Sequence, residues 1–136
     1  MEAPHTGLAA FVVILDAAGQ VLVAEREDGA GWNLPGGGVM AGESPWDAAR
    51  RETREEVGVE IELVRLAGLY HVPQRPALVF CFEARILAGL PAALEETLAV
   101  AWHRPDALPR RMLSRHAERV ADVLLRLPQP VLRVQR

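Results

Sequence analysis

Residues 32–59 read WNLPGGGVMAGESPWDAARRETREEVGV, a glycine run followed by one helix. Ser44 has the side chain of an N-cap, Pro45 suits the first helical position, and Asp47 stands three residues after the cap. Gly58 ends the helix just past its last turn. At about 100° per residue the side chains sort into three faces. Trp46, Ala49, Thr53 and Val57 form the face expected to pack on a sheet. Arg50, Arg51 and Arg54 form a second face. Glu52, Glu55 and Glu56 form a third, with Ala48 beside them.

Carboxylates at i, i+3 and i+4 on a helix repel one another by roughly a few tenths of a kcal/mol per pair. A bound cation would reverse that. Hard divalent ions, Mg²⁺ above all, take carboxylate oxygens together with water and phosphate. The run Gly36-Gly37-Gly38 lets backbone approach such an ion, and the Gly36 carbonyl is a further ligand candidate. Three acids alone read equally as a solvated, salt-bridged helix face. The glycine run, the cap and Glu43 tip the balance toward an ion.

Gly37, five residues, Glu43, seven residues and then Arg51-Glu52-Thr53-Arg54-Glu55-Glu56-Val57-Gly58-Val59 resembles the signature of the Nudix hydrolase family. The one departure is Thr53, in a slot usually held by an aliphatic residue. The similarity extends through Trp32 and Leu34-Pro35 before the box and residues 102–109 after it, and so covers most of the chain.

Composition agrees with one domain. The chain has 136 residues, half of them apolar, enough for one sizeable core. No apolar run approaches the ~20 residues of a membrane span. MEAPHTG carries no basic region of a secretory signal. The single cysteine, Cys81, excludes an internal disulfide and suits a reducing, cytoplasmic compartment; in its apolar run it reads as a buried thiol. A net charge of −3 without a basic block argues against stable nucleic-acid binding. An acidic protein still takes an anionic substrate where metal ions carry the local charge. All fifteen cationic residues are arginine, from which no function is inferred.

Outside the box the chain alternates strands and turns. Residues 1–6 read as loose. Residues 8–15 (LAAFVVIL) form a strand, residues 16–19 a hairpin turn, and residues 20–26 a returning strand with Val21 and Val23 facing one way and Leu22 and Ala24 the other. Residues 27–31 form a polar loop. Trp32 is either a wedge beneath the loop or a platform for a base. Residues 59–69 begin with apolar alternation at Val59, Ile61 and Leu63, and residues 70–76 (YHVPQRP) continue as a loop. His71, Gln74 and Arg75 in that loop are either substrate contacts or ordinary polar residues. Residues 77–87 form a central strand, residues 88–97 a connection, and residues 98–103 a last strand of the main sheet. Residues 113–127 form an amphipathic helix expected to bury Val120, Val123, Leu124 and Leu127, with His116 a surface or packing residue. Residues 129–136 read as a tail or an oligomer contact. The order β-β-α-β-β-β-α fits a mixed sheet covered by helices on both sides, an α/β/α sandwich. The Nudix resemblance implies that same fold.

The resemblance also implies a chemistry. The family hydrolyses a diphosphate linkage in a nucleoside diphosphate joined to another group. By resemblance Glu52 and Glu56 are metal ligands, with Glu55 a third and the Gly36 carbonyl a fourth, for Mg²⁺ or Mn²⁺ as its substitute. Gly37, Glu43, Arg51 and Gly58 are structural, and an Arg51–Glu43 pair would pin loop to helix. The nucleophile is then metal-activated water, which agrees with the absence of a credible Ser-His-Asp set. Glu96, six residues before Trp102, matches the family's glutamate outside the box as the general base, with neighbouring Glu95 as fallback; Glu52 itself is another candidate base. Trp32, His71 and Arg75 are candidate substrate contacts. The expected partner is a nucleotide-type small molecule, and relatives commonly form homodimers. A catalytically silent nucleotide-sensing module is the alternative, but such modules tend to lose box carboxylates, and this chain keeps them. An isoprenoid diphosphate isomerase would need a catalytic cysteine, for which Cys81 is poorly placed.

Overall fold

The computed structural model describes residues 6–136; the expectation for residues 1–5 lies outside the described residues. The elements run β1 (Gly7–Ile14), β2 (Val21–Arg26), β3 (Trp32–Asn33), β4 (Gly36–Gly38), α1 (Pro45–Val57), β5 (Glu60–Val72), β6 (Ala77–Ala88), β7 (Thr97–His103), α2 (Ser114–Leu124) and β8 (Val131–Val134). A five-stranded sheet has the order β4-β1-β6-β5-β8, and a three-stranded sheet the order β3-β2-β7. The larger sheet is mixed. β1 runs parallel to β6, and β5 parallel to β8, while β1–β4 and β5–β6 are antiparallel.

Strand alternation divides the core into two layers. Ala10, Val12 and Ile14 of β1, Leu22 and Ala24 of β2, and Phe82 and Ala84 of β6 pack with Ala48, Ala49 and Val57 of α1. Val13, Val21, Val23, Val79 and Cys81 point the other way, toward Val120 and Val123 of α2. One helix therefore covers each face, and the fold is the expected mixed α/β arrangement. Cys81 is fully buried, and burial pushes its thiol up to about 12, so it is inert as a nucleophile.

Several sequence expectations change. The turn at residues 16–19 forms, with Asp16 accepting the amides of Ala18 and Gln20 and Gly19 left-handed. It does not join a paired hairpin, however. β1 and β2 share only the Leu15–Val21 bridge and then diverge into different sheets. β7 pairs antiparallel with β2 and so belongs to the smaller sheet, not the main one. β5 continues through His71 to Val72, because its register with β6 persists to the Val72–Ala77 pair. Expected as loose, residues 129–136 instead contribute β8. Asp122 of α2 explains this: it accepts Tyr70 Oη at 2.8 Å and Arg133 Nε and Nη2 at 2.7 and 2.8 Å, tying β5, α2 and β8 together. The Gln135 amide adds a bond to the His71 carbonyl at 2.8 Å.

The helices also bury different residues from those expected. Trp46 is 51% exposed, because it sits in the first turn, before the buried stripe begins at Ala48. The α2 stripe is His116, Arg119, Val120, Asp122 and Val123; Leu124 and Leu127 lie at or beyond the helix end and are exposed. Thr53 is fully buried and donates its hydroxyl to the Ala49 carbonyl at 2.7 Å, which satisfies the polar group in an aliphatic slot. No helix among the described residues is long and apolar enough to cross a membrane.

The short β4 strand holds the glycine run against β1. Gly36 has φ +148°, and a Cβ there would lie 2.2 Å from the Ala10 carbonyl oxygen and 2.6 Å from Phe11 Cα. Both are backbone atoms of β1, which cannot step aside. Gly36→Ala is expected to lower the unfolding free energy by on the order of 3 kcal/mol, through strained φ and overlap with β1. Urea denaturation checks this, and an unchanged midpoint would contradict it.

Candidate active site

The helix α1 forms as its sequence predicts. Ser44 caps it by accepting the Asp47 amide at 3.0 Å, Pro45 occupies the first turn, and Gly58 closes it in the left-handed conformation at φ 75°. Around this helix the azimuth of Glu56, at about 100° per residue, falls between those of Ala49 and Glu52. Glu56 thus lies inside the buried arc, not on a separate wet face. Its carboxylate accepts the Gly36 amide at 3.0 Å, and the Glu52 carboxylate is close enough to act on its charge. Burial first, and then the neighbouring charges of Glu52 and Glu55, push the Glu56 pKa up to about 8 against the partial relief from the Gly36 N–H.

Gly37 makes room for this pair. A Cβ there would sit 2.7 Å from the Glu52 carboxyl carbon and 2.9 Å from each of its oxygens. Arg51 fixes the pair from the other side. Its Nε and Nη2 meet Glu43 at 2.7 and 3.0 Å, its Nη1 meets Glu52 at 3.0 Å and Glu55 at 3.1 Å, and its Nη2 also reaches the Gly38 carbonyl at 3.1 Å. The bidentate loop-to-helix contact expected between Arg51 and Glu43 is present. Arg51 holds Glu43 down to about 2, with help from the Met40 amide.

Glu52 and Glu56 open into a cavity of about 930 Å³ lined also by Gly36, Gly37, Arg75, Glu95 and Glu96. Glu96 stands in the exposed turn before β7, and its backbone carbonyl accepts the Glu27 amide at 3.1 Å. Arg26, bonded to Asp28, lies within the field of both Glu56 and Glu96, which raises its pKa further.

The other candidates are placed differently. Glu55 is held by Arg51 and is not in the cavity wall, so two carboxylates converge where three were expected. Among the described residues no three His, Cys, Asp or Glu side chains stand together as a group that could hold a metal ion. Trp32 packs against the α2-side core, with its ring 6.2 Å from that of His103, and its backbone bonds Arg111 and Leu113. That is the wedge arrangement, away from the cavity lining. His71 is exposed on β5 beside a separate shallow hollow with Leu132 and Val134, because β5 runs on past the expected loop. Of the three candidate substrate contacts, Arg75 alone reaches the main cavity.

The donor set nevertheless fits a hard divalent ion. Two half-buried carboxylates held close together, the raised pKa of Glu56 and an adjacent glycine backbone form an all-oxygen site that a cation would stabilise. The sequence reading missed part of the cavity wall, where Phe11, His116 and Arg119 contribute. A signal was available: at about 100° per residue His116 falls within the arc of Val120 and Val123, with Arg119 at its border.

Comparisons with known proteins agree with this arrangement. The family model for the NUDIX domain matches residues 5–126. A MutT-like protein of Streptomyces ambofaciens is 32% identical over 112 residues, covering 82% of this chain and 73% of that protein. A Bacillus subtilis (strain 168) protein, provisionally named an 8-oxo-dGTP diphosphatase, is 35% identical over 114 residues, covering 83% and 76%. A NUDIX hydrolase crystal structure from Nitrosomonas europaea superposes with a TM-score of 0.85 over 98% of this chain and 81% of that one, at 19% identity, which speaks to the fold. With the box residues assembled around Glu52 and Glu56 and the family model spanning nearly the whole chain, this protein belongs to the Nudix family.

Proposed function

We propose that the protein hydrolyses a phosphoanhydride bond in a nucleoside diphosphate joined to another group, using Mg²⁺, or Mn²⁺ in its place. The observation that carries this is the half-buried Glu52–Glu56 pair opening into a cavity large enough for a nucleotide. Glu52 and Glu56 would hold the ion, with the Gly36 carbonyl alongside and Glu55 available if Arg51 releases it. When bound, the ion supplies charge neutralisation for the diphosphate and lowers the pKa of a water molecule. Relatives named for diphosphatase and pyrophosphatase activities, including an ADP-ribose pyrophosphatase from Streptococcus suis at 25% identity and a TM-score of 0.77, support a hydrolase of this class.

The chain's own residues divide the remaining work. Arg51 is a positioning residue: by occupying Glu43, Glu52 and Glu55 at once it keeps the carboxylates from drifting apart under repulsion. Gly37 keeps the space in front of Glu52 clear. Glu96, on the cavity wall and distant from α1 in sequence, is the proposed general base that takes a proton from the attacking water. Preorganised charge and orientation supply most of the rate in phosphoryl transfer, which suits a reaction whose nucleophile is water. A catalytically silent sensing module is disfavoured by the presence of Glu52, Glu55 and Glu56 together.

Turnover of a nucleotide panel with Mg²⁺ tests these roles. Glu56→Gln is expected to lower kcat by on the order of 10³ or more, and Glu96→Gln by on the order of 10² to 10⁴. Unchanged turnover in Glu96→Gln would remove it from the mechanism.

The raised Glu56 pKa has a consequence for the metal-free protein. A carboxyl whose folded pKa stands above its unfolded value contributes stability that is fully present below the unfolded pKa and is lost as pH rises through the folded one. Without divalent ion, stability should therefore decline from about pH 4.5 to about pH 8. Glu56→Gln should flatten that part of the profile in thermal melts. An equal slope in both proteins would show that Glu56 is not held protonated in the fold.

A further inference from the structure

The cavity wall also contains a buried cation that, among the described residues, donates to no carboxylate. Arg119 is 3% exposed. Its Nε and Nη2 donate to the Gln135 Oε1 at 3.1 and 2.9 Å, and among the described residues no carboxylate accepts from it. Its guanidinium carbon stands 5.2 Å from the Phe11 ring centroid and 5.4 Å from that of Tyr70. A buried arginine is ordinarily paired with an acid. Here two aromatic faces and one amide oxygen hold it flat, and the group facing Nη1 is the His116 ring.

His116 sharpens this. It is 8% exposed, and its Nδ1 accepts the Leu34 amide at 3.0 Å. Nδ1 therefore carries a lone pair. Burial and the nearby Arg119 push the ring well below the usual histidine range, so it is neutral and its single hydrogen sits on Nε2. Nε2 lies 3.4 Å from Arg119 Nη1. Both nitrogens are donors, and neither can accept from the other. Two buried N–H groups thus stand side by side on the wall of the cavity, with no acceptor shared between them.

We propose that Arg119 and His116 read the base of the substrate, taking a nucleobase edge made only of acceptors, as the O6 and N7 of a 6-oxopurine are, in preference to a 6-aminopurine. This rests on the nucleotide reading of the cavity. A base suits this part of the wall better than a phosphate. The adjoining wall is Ala9, Phe11, Val72 and Val79, apolar surface for a flat ring. The cavity's further arginines, Arg26, Arg75, Arg115 and Arg136, are all less buried and better suited to a phosphate. An adenine would bring its exocyclic amine against two donors and leave them unpaired in a buried site, the situation in which discrimination is largest.

Calorimetric titration of the full chain with GMP, IMP and AMP, without divalent ion, tests the assignment apart from any turnover. IMP keeps O6 and N7 and lacks the 2-amino group. GMP and IMP are expected to bind about tenfold or more tighter than AMP. His116→Asn keeps an oxygen to accept the Leu34 amide but lacks the Nε2–H, and Arg119→Lys removes the planar donor; each should shrink the preference to about threefold or less. If Arg119→Lys fails to fold, His116→Asn decides. Equal binding of AMP and GMP to the native protein, no binding of any of the three, or an undiminished preference in the folded variants would overturn the assignment. A GMP preference in a protein that cleaves no phosphoanhydride would leave this assignment standing and sink the hydrolase reading.

Discussion

The backbone of Gly36 and Gly37 lies between β1 on one side and the carboxylates of α1 on the other: a Cβ on Gly36 would run into the β1 backbone, and one on Gly37 would displace the Glu52 carboxylate. The placing of Glu52 and Glu56 depends on that contact. On the β1 side it lets three residues of loop become β4 and close the edge of the larger sheet. On the α1 side it brings the Gly36 amide within 3.0 Å of Glu56 and leaves a gap that the Glu52 carboxylate fills. Glu56 is thereby held half-buried beside main chain, where lost hydration and the neighbouring charges of Glu52 and Glu55 disfavour its ionisation.

Arg51 makes that arrangement tolerable. Its five N–H donors meet five acceptors: two oxygens of Glu43, one each of Glu52 and Glu55, and the Gly38 carbonyl. A lysine ammonium has three donors and no fork, and could not span loop, helix and strand at once. The clamp also explains why Glu55 stands apart. One guanidinium nitrogen serves both Glu52 and Glu55, and Glu55 lies outside the cavity wall.

Much of this is legible in the residues alone. The cap at Ser44, the stop at Gly58 and the spacing from Gly37 through Glu43 to Arg51 are local signals, and local signals survive folding. The alternation at Val21–Ala24 likewise places those four side chains on the correct layers. The features that escape such a reading depend on partners distant in sequence. β8 looks like a tail because its reasons for order, Asp122 and Tyr70, lie on other elements. β7 looks like part of the main sheet because nothing local announces that β2 leaves β1 after one bridge. His71 looks like a loop residue because β5 needs β6 to extend it. Among site residues, Arg75 and Glu96 reach the cavity, whereas Trp32 and His71 do not. Arg119 escapes notice because an arginine on an amphipathic helix is ordinarily solvated.

The cavity wall carries both the acids Glu52, Glu56 and Glu96 and the donors His116 and Arg119. A nucleotide bound there would set its diphosphate against a cation held by the acids and its base against the donors. The whole scheme depends on the Glu52–Glu56 pair being a seat for a divalent ion. Titration of the protein with Mn²⁺, monitored by the loss of the free-ion electron paramagnetic resonance signal, tests this most directly. The native protein should take up the ion, and Glu52→Gln and Glu56→Gln should bind it on the order of a hundredfold more weakly. Uptake of the same strength in both folded variants, or none in the native protein at millimolar ion, would contradict it.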